Sequence, residues 1–243
     1  MATFVQTDVG LYWGGHSLAS SFNAIALNMG NAPQDDTVYG DSFQSNASGL
    51  SSIQAEAEGF WQSTTDSVLH AGLAINAADT VLSVTPTGSA TVGLPSIFSK
   101  VTTSTYNPIS TGTVGSMMGF SLSAEGVGEK SVTGEILVVP NTYSSSSESA
   151  TNSSIGAVSA TQSLYSALHV TAVSGTLDVI VESAPSNWSS ETTRITHTQY
   201  TTGGGVGAEI KSIAGAITDA HWRVKWTISG GGSFNFICSL GIT

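Results

Sequence analysis

In the segment HWRVKWTIS, Trp222, Val224, Trp226 and Ile228 alternate with Arg223, Lys225 and Thr227. Successive side chains of an extended strand point to opposite sides, so this period of two puts the first set on one face and the second on the other. The period recurs in TLDVIVES, where Leu177, Val179 and Val181 oppose Asp178, Ile180 and Glu182. It recurs again where Met118, Phe120 and Leu122 alternate with Gly119, Ser121 and Ser123, and where Phe234, Phe236, Cys238, Leu240 and Ile242 share a face. A chain patterned this way from end to end is a mainly β protein.

The first half carries further short apolar runs between turn signals, namely GLYWGG, SLASSFNAIALNMG, SSIQAEAEGFWQ, TVLSVTP, LPSIFSKVTTSTY and VTGEILVVP. One helix is expected among them: Asp66 can cap DSVLHAGLAINAA, whose Val68, Leu69, Leu73 and Ala77 form an apolar stripe. NAPQDDTVYGDSFQSNASGL is a long run of turn formers, and such loops usually have a task; its Val38, Tyr39, Phe43 and Leu50 suggest that it docks on something. NTYSSSSESATNSSIGAVSA is serine-rich and aperiodic and reads as a linker or surface loop. The expected organisation is a β-sandwich or barrel domain with one flanking α-helix over 1–140, a linker over 141–160, and a small β-sandwich over 161–243. A length of 243 residues accommodates both cores.

Charge restricts the partners. Only 9% of residues are charged, and residues 1–140 hold eleven acids against two bases, while 141–243 hold six against four. A protein that grips nucleic acid shows the reverse, a basic patch or stripe. Cys238, the one cysteine, has no intrachain partner and sits on an apolar strand face as core filler. The opening MATFVQTDVG has neither a basic region nor an apolar run, no stretch is long and apolar enough to span a bilayer, and folding in a reducing cytoplasm is expected. The Asn-x-Ser tripeptides at Asn46, Asn152 and Asn187 are therefore read as ordinary sequence.

Motifs with chemical meaning are weak. Gly203, Gly205 and Ala208 match G-x-G-x-x-A, but a phosphate cradle needs a preceding strand and a helix opening at the third position, and IKSIAGAITDAHW soon becomes a strand instead. His16, His70, His169, His197 and His221 are scattered without ligand spacing. Glu56 and Glu58 share a strand face and could in principle work as an acid and base pair, although a solvated or lumen-facing acidic face explains them better. No G-x-S-x-G elbow occurs. No catalysis, cofactor or metal is expected.

The order of features resembles the major tail proteins of long-tailed bacteriophages, whose subunits stack into the tail tube. The most specific piece is D-x-T-x-x-G-D, here Asp35 to Asp41 with Asp36 and Thr37 inside it, followed by Gly49, Leu50, Glu58, Gly59 and Trp61. The resemblance covers roughly residues 5–140. It implies a ring of six copies, inner strands joined into one barrel, rings stacked through a long loop, and viral DNA passing through the lumen without sequence-specific contact. It implies other tail proteins as partners, the virion tail as location, synthesis in the host cytoplasm and no membrane insertion. Carried onto this chain, Asp36, Val38, Tyr39, Phe43 and Leu50 would stack rings, and Glu56 and Glu58 would face the channel. The rival reading is a capsid decoration or tail-fibre module that binds a shell or a glycan through Trp188, Tyr200, Trp222 and Trp226.

Overall fold

The computed structural model describes residues 9–18, 20–31, 34–39, 42–47, 51–60, 78–89, 91–128, 130–152, 154–185, 188 and 190–243. Every regular element among them is a strand, as the alternation requires. The first six are β1 (Gly10–Trp13), β2 (His16–Ser17), β3 (Phe22–Asn31), β4 (Gln34–Asp35), β5 (Asn46–Ala47) and β6 (Ser51–Phe60). Next come β7 (Thr80–Thr85), β8 (Pro95–Thr111), β9 (Gly119–Gly126), β10 (Val132–Tyr143), β11 (Ser147–Glu148) and β12 (Ser163–Val173). The last are β13 (Thr176–Ala184), β14 (Thr192–Thr196), β15 (Tyr200–Thr201), β16 (Gly207–Ala214), β17 (His221–Ser229) and β18 (Phe234–Ile242). The helix expected from Asp66 lies outside the described residues.

The chain folds into two compact units. The first comprises Met1–Ser20, Thr80–Ser99 and Val132–Thr243; the second comprises Ser21–Asp79 and Lys100–Ser131.

In the first unit two antiparallel sheets pack face to face. One runs β16-β12-β18-β10 and continues through the first residues of β8 to β7, β1 and β2; the other runs β11-β17-β13-β14 with β15 beside β13. Their shared core sets Leu164, Leu168 and Val170 of β12 and Phe234, Phe236, Cys238 and Leu240 of β18 against Leu177, Val179 and Val181 of β13 and Trp222, Val224 and Trp226 of β17. Each indole of β17 reaches a loop carbonyl, Trp222 donating to Gly156 O at 2.7 Å and Trp226 to Ser145 O at 3.1 Å, so neither N–H is stranded in the core. The larger sheet is covered on its other face too. Ile237 and Ile136 pack with Tyr12, and Ala167 packs with Val81, Phe98 and Val132. Burial on both faces explains why FNFICSLGI reads as an almost continuous apolar run.

This unit divides the chain differently from the boundaries expected at 140 and 160. β10 pairs with β18 from Gly134↔Gly241 to Tyr143↔Phe234, so one hydrogen-bonded sheet crosses that point. The serine-rich stretch is likewise bound in: Ser147 and Glu148 pair with Trp226 and Lys225, and Asn152 exchanges backbone bonds of 2.8 Å in each direction with Trp222. A serine-rich edge strand and a linker have the same composition, because hydroxyl side chains serve a solvated strand edge as well as open coil.

The second unit is built on an antiparallel sheet ordered β3-β6-β9-β8, with β4 and β5 paired as a small separate ribbon between β3 and β6. β6 sits centrally, from Ser51 opposite Asn31 to Phe60 opposite Gly119.

Candidate functional site

The sheet of the second unit has two unlike faces. On β6, Ile53, Ala55 and Ala57 are buried, as are Phe120, Leu122 and Ala124 of β9 and Val101 of β8. The ring of Phe22 meets that of Phe120 edge-on at 5.0 Å. Close packing leaves no space for a side chain at Gly59, where a Cβ would fall 2.1 Å from Ser21 O. On the opposite face Gln54, Glu56 and Glu58 are all exposed, as the alternation of SSIQAEAEGF predicts.

Register arranges this polar face in rows. Glu56 lies between Ala26 of β3 and Ser123 of β9, and Thr105 of β8 continues its row. Glu58 lies between Ala24 and Ser121, with Asn107 beyond; Asn107 Nδ2 donates to Ser121 Oγ at 3.2 Å. The third row is Asn28, Gln54, Glu125 and Thr102. These rows contain three carboxylates, no base, and otherwise neutral side chains. Glu56 and Glu58 thus stand exposed among Ala and Ser neighbours rather than in an enclosed acid and base pair.

At the end of the sheet where β6 begins lies the β4–β5 ribbon. The Asp35 carboxylate accepts the Thr37 N–H at 3.0 Å and the Thr37 hydroxyl, and the Thr37 hydroxyl oxygen accepts the Ser45 N–H at 3.0 Å. These bonds, the Thr37 hydroxyl first, lower the pKa of Asp35 and tie the ribbon together, which is the structural work of the D-x-T element. The Asp36 N–H donates to Ser45 O at 3.1 Å. Val38, Tyr39 and Phe43 are 66%, 112% and 87% exposed. Leu50 lies outside the described residues.

The opposite end of the sheet carries a second apolar group absent from the expectations. In the β8–β9 hairpin, Ile109, Val114, Met117 and Met118 are 68%, 108%, 67% and 41% exposed. Met118 was expected to alternate inward with Phe120, but β9 starts at Gly119, so Met118 belongs to the turn. Thr113 and Ser116 brace that turn: the Ser116 N–H donates to Thr113 O at 2.9 Å, the Thr113 N–H donates to Ser116 Oγ at 2.8 Å, and Gly115 takes φ +93°. The readable signal was a Val and a Met pair inside a Gly/Thr/Ser turn, where no core could use them.

The first unit contains polar groups that resemble catalytic machinery. Glu209 Oε1 is 2.9 Å from His197 Nδ1, and His197 Nε2 is 2.8 Å from Ser166 Oγ, the connectivity of a nucleophilic triad. Ser166 is fully buried, and its hydroxyl also contacts Cys238 Sγ at 3.4 Å, so no substrate carbonyl can reach it in this conformation. The array joins β12 to the second sheet as a buried polar tie. Burial opposes ionisation of Glu209, but hydrogen bonds from His197 and the Thr198 N–H outweigh it and hold the carboxyl at about 2. Burial pushes the Cys238 thiol up to about 12, consistent with core filler. Gly203 to Gly205 form a turn leading into strand β16, so the G-x-G-x-x-A match opens no helix. Trp222 and Trp226 are core residues, so neither offers a face to a glycan, while Arg223 lies over the half-buried Trp188 ring at 4.4 Å. Among the described residues no group of three or more His, Cys, Asp or Glu could hold a metal ion, and no helix is long and apolar enough to cross a membrane.

No family model and no curated protein matches the chain. Among solved structures, it is similar to a chain in the virion of a native gene transfer agent particle, at 8% identity and TM-score 0.44 over 52% of this chain and 96% of that one. It is also similar to a chain in the tail of an empty gene transfer agent particle with C6 symmetry, at 11% identity and TM-score 0.39 over 49% and 92%. A third similarity is to the Dit protein of SPP1, described as a paradigm of the hub adsorption apparatus in phages infecting Gram-positive bacteria, at 9% identity and TM-score 0.34 over 97% and 99%.

Proposed function

We propose that the chain is a non-enzymatic structural subunit of a phage tail, and within it a tube subunit that assembles as stacked rings. The observation that carries this reading is the division of the β3-β6-β9-β8 sheet into a buried apolar face and an open face of neutral side chains around Glu56, Glu58 and Glu125. The motif resemblance over residues 5–140 points the same way, and Asp35 and Thr37 of that motif have a definite local task.

Ring closure joins the outer strands, β3 of one copy beside β8 of the next. The sheet has four strands alternating in direction, so in a cyclic ring β8 meets the neighbouring β3 antiparallel, the pairing used throughout the sheet. Six copies would give about 24 strands at about 4.8 Å spacing, a backbone radius of about 18 Å before tilt, which admits a DNA duplex.

The channel then works by electrostatics. Duplex DNA carries about one negative charge per 1.7 Å, so a basic wall would hold the genome. Carboxylates set in a neutral surface repel it over a screening length of about 8 Å and present no donor fork to phosphate. The ribbon bearing Asp36, Val38, Tyr39 and Phe43 supplies the ring-stacking contact. Other tail proteins cap the stack, and the protein resides in the virion tail.

Negative-stain images and light scattering of the purified full chain test this. Rings or tubes are expected; persistent monomers or trimers would overturn the reading in favour of a decoration or fibre module.

A further inference from the structure

The two exposed apolar groups of the second unit lie at opposite ends of the same strands. The ribbon with Val38, Tyr39 and Phe43 adjoins the Asn31↔Ser51 end, and the hairpin tip with Ile109, Val114 and Met117 adjoins the Phe60↔Gly119 end. Ten residues of β6 separate them, about 30 Å at about 3.3 Å per residue, so neither group can cover the other within one copy.

We propose that these groups are the two halves of one head-to-tail interface: Val38, Tyr39 and Phe43 of one copy seat on Ile109, Val114 and Met117 of a second copy of this chain. The inference rests on the ring-stacking reading and deepens it by naming the receiving surface. Chemistry favours this pairing over either group meeting itself. The ribbon carries exposed Asp35 and Asp36, so two ribbons face to face would bring like charges together, whereas residues 109–118 contain no charge. Unbranched methionines adapt to flat rings and make favourable sulfur–aromatic contacts, which fits Met117 to Tyr39 and Phe43. The tip is already ordered by the Thr113 and Ser116 bonds, so docking forfeits little backbone freedom there. A heterologous contact displaced along the strands does not close on itself, and repetition produces an open stack.

Cross-linking of the full chain distinguishes the pairings. Tyr39→Cys and Met117→Cys are made singly and together and treated with a short bismaleimide; native Cys238 is fully buried and its thiol is held protonated, so it stays out of the reaction. The double variant should give a ladder of dimers, trimers and longer species, while each single variant stays uncross-linked. Dimers from either single variant, or no ladder from the double variant, would overturn the proposal. Micrographs of the same samples separate this from the ring reading. A ladder without rings leaves the docking intact and removes the ring; rings without a ladder remove the docking alone.

Discussion

His169 on β12 and Ser83 on β7 are joined in the core of the first unit, with Nε2 2.7 Å from Oγ. Nδ1 lies 2.8 Å from the Gly14 carbonyl, which can only accept, so Nδ1 carries the proton and Nε2 accepts from the serine. The neutral ring is therefore fully satisfied, and burial lowers its pKa from 6.5 to about 4. Because the folded-state value lies below the unfolded one, its contribution is complete above pH 6.5 and is lost as the pH falls toward 4, by about 3 kcal/mol in all. Urea unfolding as a function of pH should show this loss for the native chain and a shallower dependence for His169→Gln. Equal slopes would contradict it.

Replacing Tyr39 and Phe43 together by serine removes the exposed aromatic rings proposed to anchor the stack. Each is expected to cost an interface about 2 kcal/mol or more, repeated around the ring. Single rings should form and long tubes should not. Normal tubes in the micrographs would take the ribbon out of the interface.

Changing Glu56 and Glu58 to lysine shifts the exposed face of β6 by four charges per copy, about twenty-four in the proposed ring of six, enough to convert repulsion into polyanion binding. Virions with both changes should assemble yet eject DNA slowly, with recovery as salt is raised. Ejection at the native rate in low salt would show that these carboxylates do not face the DNA.

Adjacent residues of an antiparallel strand direct their N–H groups to opposite sides. Of Asn28→Pro and Met29→Pro on β3, one therefore breaks a bond to β6 and destabilises the fold, while the other removes only an outward N–H. The second variant should keep the native melting temperature and fail to close rings. If the variant that loses only the outward N–H still forms rings, β3 is not at the seam.

A chain ending at Ala150 lacks β12, β17 and β18, leaving Leu137 and Val138 of β10 without the partners that bury them. It should be insoluble or molten, judged by dye binding and near-ultraviolet dichroism. A soluble, cooperatively unfolding fragment would restore the boundary near residue 140.

The strands were readable wherever one face is buried, because burial enforces the alternation seen at Trp222, Val224 and Trp226 and at Ile53, Ala55 and Ala57. The exposed positions of Val38, Tyr39 and Phe43 were readable from turn chemistry around apolar residues. Long-range pairing was not. Nothing local in VTGEILVVP announces that Val138 will lie beside Cys238, since strand partners are chosen by complementary edges and shared cores far apart in sequence. Met118 at the tip was misread for a related reason: Met118, Phe120 and Leu122 at alternate positions look alike whether or not the strand has begun. Ser166, His197 and Glu209 were likewise invisible as a group, being brought together by three different strands and their loops.

An even number of strands per copy has a consequence for size. In the proposed ring β8 would meet the next β3 antiparallel whatever the number of copies, so hydrogen bonding at the seam would be indifferent to whether five, six or seven subunits close the circle. Copy number must then be counted by curvature. The pairing of β8 with β9 is irregular between Thr103 and Thr105 and between Asn107 and Thr111, which bends the sheet beside the proposed seam, and straightening these positions should change how many subunits complete a turn.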